Sequence, residues 1–310
     1  LVAIGQSRFH KSPPGNALLR KLRQRAVEPT LKVLRRMQPA SGGYLEAVPL
    51  TSFVLMNLSA VGNGGLPVAV DCLRFILDSR LADGSWPIDT NLATWATSLS
   101  IHGLARRGRL GLHPVGRIEA EHHVTTVSGN PSLSPQASVS GQTIRWLLSC
   151  QHQQKHPFTG ANPGGWGWTD LSGAVPDADD TPAALLALRS IDLSDPQWWR
   201  LEQQIESAGR QGVRWLLKLQ NRDGGWPTFC KGWGTLPFDR SGTDLTAHAI
   251  RALAAWKNSV PSGVESQIQR AIERGFRYLE RQQLEDGSWL PLWFGNQDRP
   301  EEDNPVYGTG

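Results

Sequence analysis

The chain has 310 residues, 39% of them hydrophobic and 19% charged, a composition that excludes a disordered or collagen-like polypeptide and allows a sizeable buried core. Its net charge of +4 is concentrated in Arg20, Lys21, Arg23, Arg25, Lys32, Arg35 and Arg36, a basic face on one helical segment whose lack of interleaved aromatics argues against nucleic acid. Cys72, Cys150 and Cys230 are odd in number and lack metal-ligand spacing, so they fit reduced thiols in a cytosolic chain.

Taken from the N-terminus, one unit recurs: an aromatic or aliphatic pair, then Gln, then a Gly-x-aromatic turn. Five copies are read, beginning with Val33-Leu34, Gln38 and Gly42-Gly43-Tyr44, then Phe75-Ile76, Arg80 and Gly84-Ser85-Trp86. Trp146-Leu147 and Gln151 follow, with a longer insert before Gly164-Gly165-Trp166. The last two are Trp215-Leu216, Gln220 and Gly224-Gly225-Trp226, and Tyr278-Leu279, Gln283 and Gly287-Ser288-Trp289. Helical spacing precedes each Gln, and the Gly turn is expected to end the helix.

A second helix is expected after each turn, aligned on Thr51, Thr90, Thr181 and Thr246, with the Thr read as its N-cap. These second helices carry small and apolar faces suited to the inside of a ring, whereas the first helices carry Arg, Lys and Glu. Stacked hairpins of this kind predict an all-α fold, an α/α barrel, as one domain over residues 1–310 with an irregular insert at about 107–140. Thr309 matches the capping Thr, but the helix it should start would lie past Gly310, so the barrel is expected to be incomplete. With Leu1 at the start, both ends read as cut from a longer, two-barrel protein.

Two stretches break the periodicity. The insert contains His113, His122 and His123 with Glu121, read as a solvated loop rather than a metal site. A second stretch, Pro227 to Gly242, holds Phe229, Trp233 and Phe238 and is expected at the same barrel mouth as Asp179.

The remaining anomaly is Pro176-Asp177-Ala178-Asp179-Asp180-Thr181, three carboxylates in four residues at a helix start. The aligned copies have Ala47, Trp86 and Gly242 at the place of Asp177, and Leu50, Asp89 and Leu245 at that of Asp180, so the scaffold does not need the acids. A helix N-terminus favours negative charge, but three carboxylates this close cannot all ionise cheaply. One should keep a proton near neutral pH, held by its neighbours as a strong general acid is.

The Gln220 and Gln283 repeats, the Asp177 to Thr181 box, Gly164-Gly165-Trp166-Gly167-Trp168 ahead of it and Tyr307-Gly308-Thr309-Gly310 together resemble the class II terpenoid cyclases, most of all the squalene-hopene type. The resemblance is strongest from Trp146 onward and only repeat-level before Arg106. It implies a protonation-initiated cyclisation of a linear polyisoprene such as squalene to a polycyclic, hopene-type triterpene, without metal, redox group or other cofactor. Asp179 is then the proton donor and Asp177 and Asp180 its supports, with Trp168, Phe229, Trp293 and Thr235 as the substrate-binding residues. The family's histidine partner of the acid would fall at Thr235, which is not a histidine, and His248 is read as part of the repeat scaffold. The implied partner is a lipophilic polyisoprene, with no nucleic acid, and with peripheral membrane contact and homodimerisation left open.

Two rival readings stand beside this one. The first is a non-catalytic barrel that binds without turning over, as the absent histidine would allow. The second is a zinc-dependent protein prenyltransferase β-subunit using Cys230, Asp244 and His248. A magnesium-dependent synthase is disfavoured because Asp179-Asp180 runs into Thr-Pro-Ala without a third carboxylate. No signal-peptide pattern or span-length apolar run is visible, so the expected location is cytoplasmic, at most peripheral to a membrane.

Overall fold

The computed structural model describes residues 1–105, 111–113, 138–157, 159–231, 237–293, 296, 299 and 302–309. The fold is all-α, of the α/α-barrel class, and it packs as two units, one of residues 1–92 with 168–175 and one of 93–167 with 176–310. None of the described helices is long and apolar enough to cross a membrane.

The first unit contains α1 (Val2–Lys11), α2 (Ala17–Met37), α3 (Val48–Ser59) and α4 (Pro67–Asp78). Helix α1, which the repeat alignment did not include, packs on α3 and α2, and α4 packs on both of the latter. Leu34, Leu58, Val68 and Ala69 form their shared core with Ala3. Residues 168–175 belong here because the fully buried Glu46 accepts the Gly173 N–H at 2.9 Å through Oε1. A Cβ on Gly173 would lie 2.6 Å from that oxygen, so only glycine allows the approach.

The second unit holds α5 (Ala93–Leu104), α6 (Gly141–Ser149), α7 (Asp180–Arg189), α8 (Trp199–Leu219), α9 (Thr243–Trp256), α10 (Ser262–Gln282) and the single turn α11 (Val306–Thr309). Helices α5, α7, α9 and α11 are successive neighbours in an inner layer, and α6, α8 and α10 follow one another outside it. Every residue of α7 from Asp180 to Leu188 is buried, as expected of a helix enclosed on all sides. Gly209 and Gly212 notch α8 so that the rings of Trp256 and Trp166 can enter. Two strand pairs interrupt the helices: β1 (Gly111–His113) runs parallel to β2 (Ser138–Ser140), and β3 (Trp226–Pro227) antiparallel to β4 (Ser241–Gly242). Glu121, His122 and His123 lie outside the described residues.

The recurring residues fasten each hairpin. Gln38, Gln151, Gln220 and Gln283 donate through Nε2 to the carbonyls of the turn glycines Gly42, Gly164, Gly224 and Gly287, at 2.7 to 3.0 Å. The first three donate as well to a carbonyl of the next outer helix, that of Val68, Ala208 or Ala271. The turn tryptophans then fold back, Trp86, Trp166, Trp226 and Trp289 donating through Nε1 to Ile76, Leu147, Leu216 and Leu279, and the Tyr44 hydroxyl does the same to Leu34. Gly224 sits at φ +102, and a Cβ there would lie 2.4 Å from the Arg274 carbonyl oxygen, so the turn needs glycine on both counts.

The aligned threonines work differently from the N-caps expected. Helix α7 starts at Asp180 with Asp179 as its N-cap residue, two residues earlier than Thr181. Thr181 instead accepts the Trp166 N–H at 2.9 Å and donates to the Trp166 carbonyl, tying the inner helix to the turn. Thr51, Thr246 and Thr309 accept the N–H of Tyr44, Trp226 and Trp289 in the same way. Thr90 is misaligned: it bonds the Glu46 carbonyl, and the next inner helix begins later, at Ala93.

Candidate active site

The start of α7 arranges the three carboxylates in two different environments. Asp177 turns back along the chain, and its Oδ1 accepts the N–H groups of Asp179 at 2.9 Å and of Asp180 at 2.7 Å. These are free donors of the first helical turn, so Asp177 is the side chain that caps α7. Asp177 and Asp180 are buried, 2% and 3% exposed, whereas the Asp179 side chain is 46% exposed.

Burial, then the charge of Asp179, pushes Asp177 up to about 7. Burial and the charges of Asp177 and Asp179 raise Asp180 well above the carboxylate range. Burial is the larger cause for both carboxyls, and the charge of Asp179 acts in the same direction on each. Two acids are thus held protonated toward neutral pH, where the spacing argument expected one. Asp180 Oδ1 is buried and has no hydrogen-bond partner among the described residues.

Asp179 faces the neighbouring inner helix, where His248 Nδ1 lies 3.3 Å from its Oδ1. His248 therefore stands beside the acid, where the sequence alone reads it as part of the repeat scaffold, and Thr235 lies outside the described residues. The signal was present: Asp244 aligns with Asp179 two residues before the shared Thr, and His248 is one turn further along α9, which packs on α7. Asp244 faces the same charges: burial and then Asp179 raise its carboxyl, His248 lowers it, and it keeps solvent contact.

The aromatic residues expected around a cavity are distributed between the units. Phe229 and Trp293 are joined through Phe238, whose ring centroid is 5.2 Å from each, edge-on to Phe229 and tilted against Trp293. Trp293 is oriented by its Nε1 donating to Thr228 Oγ1 at 2.7 Å. Cys230, next to Phe229, is near enough to Asp177 for that charge to raise its thiol, after burial, the larger cause. Trp168 is packed with the first unit. Cys230, Asp244 and His248, the zinc ligands of the prenyltransferase reading, do not form a metal-holding group, since the described residues contain no cluster of three His, Cys, Asp or Glu able to hold an ion.

A family model described as the squalene-hopene cyclase C-terminal domain matches residues 128–309. The squalene–hopene cyclase of Alicyclobacillus acidocaldarius is 27% identical over 246 residues, covering 73% of this chain and 32% of that protein. A probable squalene–hopene cyclase of Sinorhizobium fredii is 24% identical over 307 residues, 94% of this chain and 42% of that protein. Sporulenol synthase of Bacillus subtilis is 30% identical over 165 residues, 48% of this chain and 23% of that protein. The chain therefore spans less than half the length of these curated relatives. Among solved structures, the type II terpene cyclase MstE from Scytonema is similar over 93% of this chain and 69% of that one, at 15% identity and a TM-score of 0.33.

Proposed function

The chain belongs to the class II terpenoid cyclase family, and from that premise we propose that it carries the acid-bearing part of a cyclase that closes a linear polyisoprene such as squalene into a polycyclic, hopene-type triterpene. The observation that carries the reading is the division of labour at the start of α7. Asp177 and Asp180 are buried and hold their protons, and Asp179 alone keeps an open carboxyl, with His248 against it.

In this mechanism the Asp179 carboxyl proton is taken up by the π pair of a terminal alkene, leaving a tertiary carbocation and the Asp179 carboxylate. An alkene is a very weak base, so the acid must be strong, and its strength comes from stabilising the carboxylate left behind. His248, with Nδ1 3.3 Å from Asp179 Oδ1, is placed to do this. Neutral Asp177 and Asp180 add no like charge beside the new carboxylate. Successive alkene π pairs then attack the cation, and loss of a proton ends the sequence, so substrate and product are isomers. Phe229 and Trp293, with Phe238 between them, offer aromatic faces to a passing cation.

Asp179→Asn tests the proposal because it keeps the shape and removes the proton. The protein carrying this chain is incubated with squalene and other linear polyprenes, and the extracted products are analysed by mass spectrometry. Cyclised product from the unmodified protein and none from Asp179→Asn is expected. Equal product from both removes Asp179 from the acid role, and no cyclised product from any linear polyprene favours the binding-only reading.

A further inference from the structure

The third hairpin differs from the second, fourth and fifth in a way that the cyclase reading does not use. Asp83, Asp223 and Asp286 stand before the turn glycines of the second, fourth and fifth copies, where each carboxylate caps the N–H two residues on. The third copy has Pro163 before Gly164, after an insert from His152, and so brings no carboxylate to its turn.

A cavity of about 320 Å³ opens there in the second unit, between residues 160–163, one face of α8 and Cys230-Lys231. Arg214, Lys218 and Lys231 line it, all exposed to solvent, and no Asp or Glu does. Arg214 and Lys218 are one helical turn apart, a like-charged spacing that is unfavourable unless something neutralises it. Neither has an ion-pair or hydrogen-bond partner among the described residues. In the next outer helix Arg281, in the place of Lys218, is engaged, since it donates to the Asp223 carbonyl. Lys231 is partly committed: its Nζ donates to the Gln220 carbonyl at 3.0 Å, and Asp239 and Asp223 act on it from the other side. The buried ring of Trp215, held by its Nε1 donating to the Asn162 carbonyl, makes one wall.

We propose that this cavity is a binding site for a phosphate-type oxyanion, with the planar Arg214 guanidinium as bidentate anchor and Lys218 and Lys231 as flanking ammonium groups. The volume lies at the small end of ligand sites, about 300–1,000 Å³, which suits a phosphate or diphosphate group rather than a whole nucleotide. The site is separate from the Asp179 carboxyl and stands whether or not the cyclase reading does.

The test uses the 310-residue chain in calorimetric titration with inorganic phosphate and inorganic diphosphate at low ionic strength. Saturable binding that weakens with added salt is expected, at least ten-fold weaker in the double variant Arg214→Gln, Lys218→Gln, with the ligand-free thermal midpoint unchanged. Flotation with phosphatidylcholine vesicles, with and without phosphatidic acid, distinguishes the source. Flotation that needs phosphatidic acid and is lost in the double variant assigns a lipid headgroup, whereas binding of diphosphate without flotation assigns a soluble phosphate compound. Absence of binding by the unmodified chain in every arm overturns the proposal, and so does equal affinity of the double variant. If the double variant is unfolded, Lys218→Gln alone is titrated under the same criterion.

Discussion

Asp177→Asn removes one titrating carboxyl and keeps the oxygen that accepts the Asp179 and Asp180 N–H groups. In the folded chain Asp177 is raised from 3.8 to about 7. At about 1.4 kcal/mol per pH unit, that rise is worth on the order of 4 kcal/mol. Because the folded state holds the proton more tightly, this stability is fully present below the unfolded pKa and is lost as pH climbs through 7. Asp180 is raised in the same direction. His152 opposes them: burial and His156 lower it from 6.5 to about 4, so its contribution, roughly 3 kcal/mol, appears as pH rises across that window. In the unmodified chain the His152 trend opposes those of Asp177 and Asp180. Asp177→Asn removes one of the two opposing groups. Urea unfolding at about pH 4.5 and about pH 7.5 is therefore expected to show the variant changing more favourably with rising pH than the unmodified chain, by a few kcal/mol. Parallel pH dependences in the two proteins would refute the assignment of a buried, protonated Asp177.

His248→Ala is expected to lower cyclisation by roughly 10²-fold, as for loss of one group that stabilises the charge left on the acid, without a comparable change in melting; an unchanged rate assigns His248 a packing role. Thr181→Val leaves the buried Trp166 N–H without its acceptor, for an expected loss of about 1–3 kcal/mol by denaturant titration; a neutral result means that the tie is dispensable. Cyclisation is expected to survive exhaustive chelation, and loss restored by one metal would revive a metal-dependent mechanism.

Much of the fold was legible because it repeats. A Gln, a turn glycine and an aromatic at fixed spacing identify a hairpin whatever lies between, and the outer helices were placed on the right residues by that signal alone. The threonine alignment was right in three inner helices and at Thr309 for a reason that sequence does not display. A hydroxyl reaching back fifteen residues, from Thr181 to Trp166, looks on paper like a local cap. Thr90 shows the cost of that ambiguity, since a Thr followed by a helical stretch fits a cap template without making the tie. The acid box was legible as three charges that cannot all ionise, but not which oxygens turn inward, because that depends on α7 being enclosed on every side. His248 was missed because its partner is in another hairpin, and proximity between inner helices follows from packing rather than from spacing within either helix.

The glutamine fastener has a further consequence for how such a chain can change over generations. Its second bond reaches the main-chain oxygens of Val68, Ala208 and Ala271, so the side chains at those positions are not what it recognises. A carbonyl is present at every position, and substitution on the outer helices leaves the address intact. The hairpins of Gln38, Gln151 and Gln220 also bring their own half of the joint, one amide for their own turn and for the next outer helix. Duplication of such a segment supplies a unit already able to attach, without a matching pair of surfaces having to arise first, and an acid box acquired by one copy leaves the joints of the others untouched.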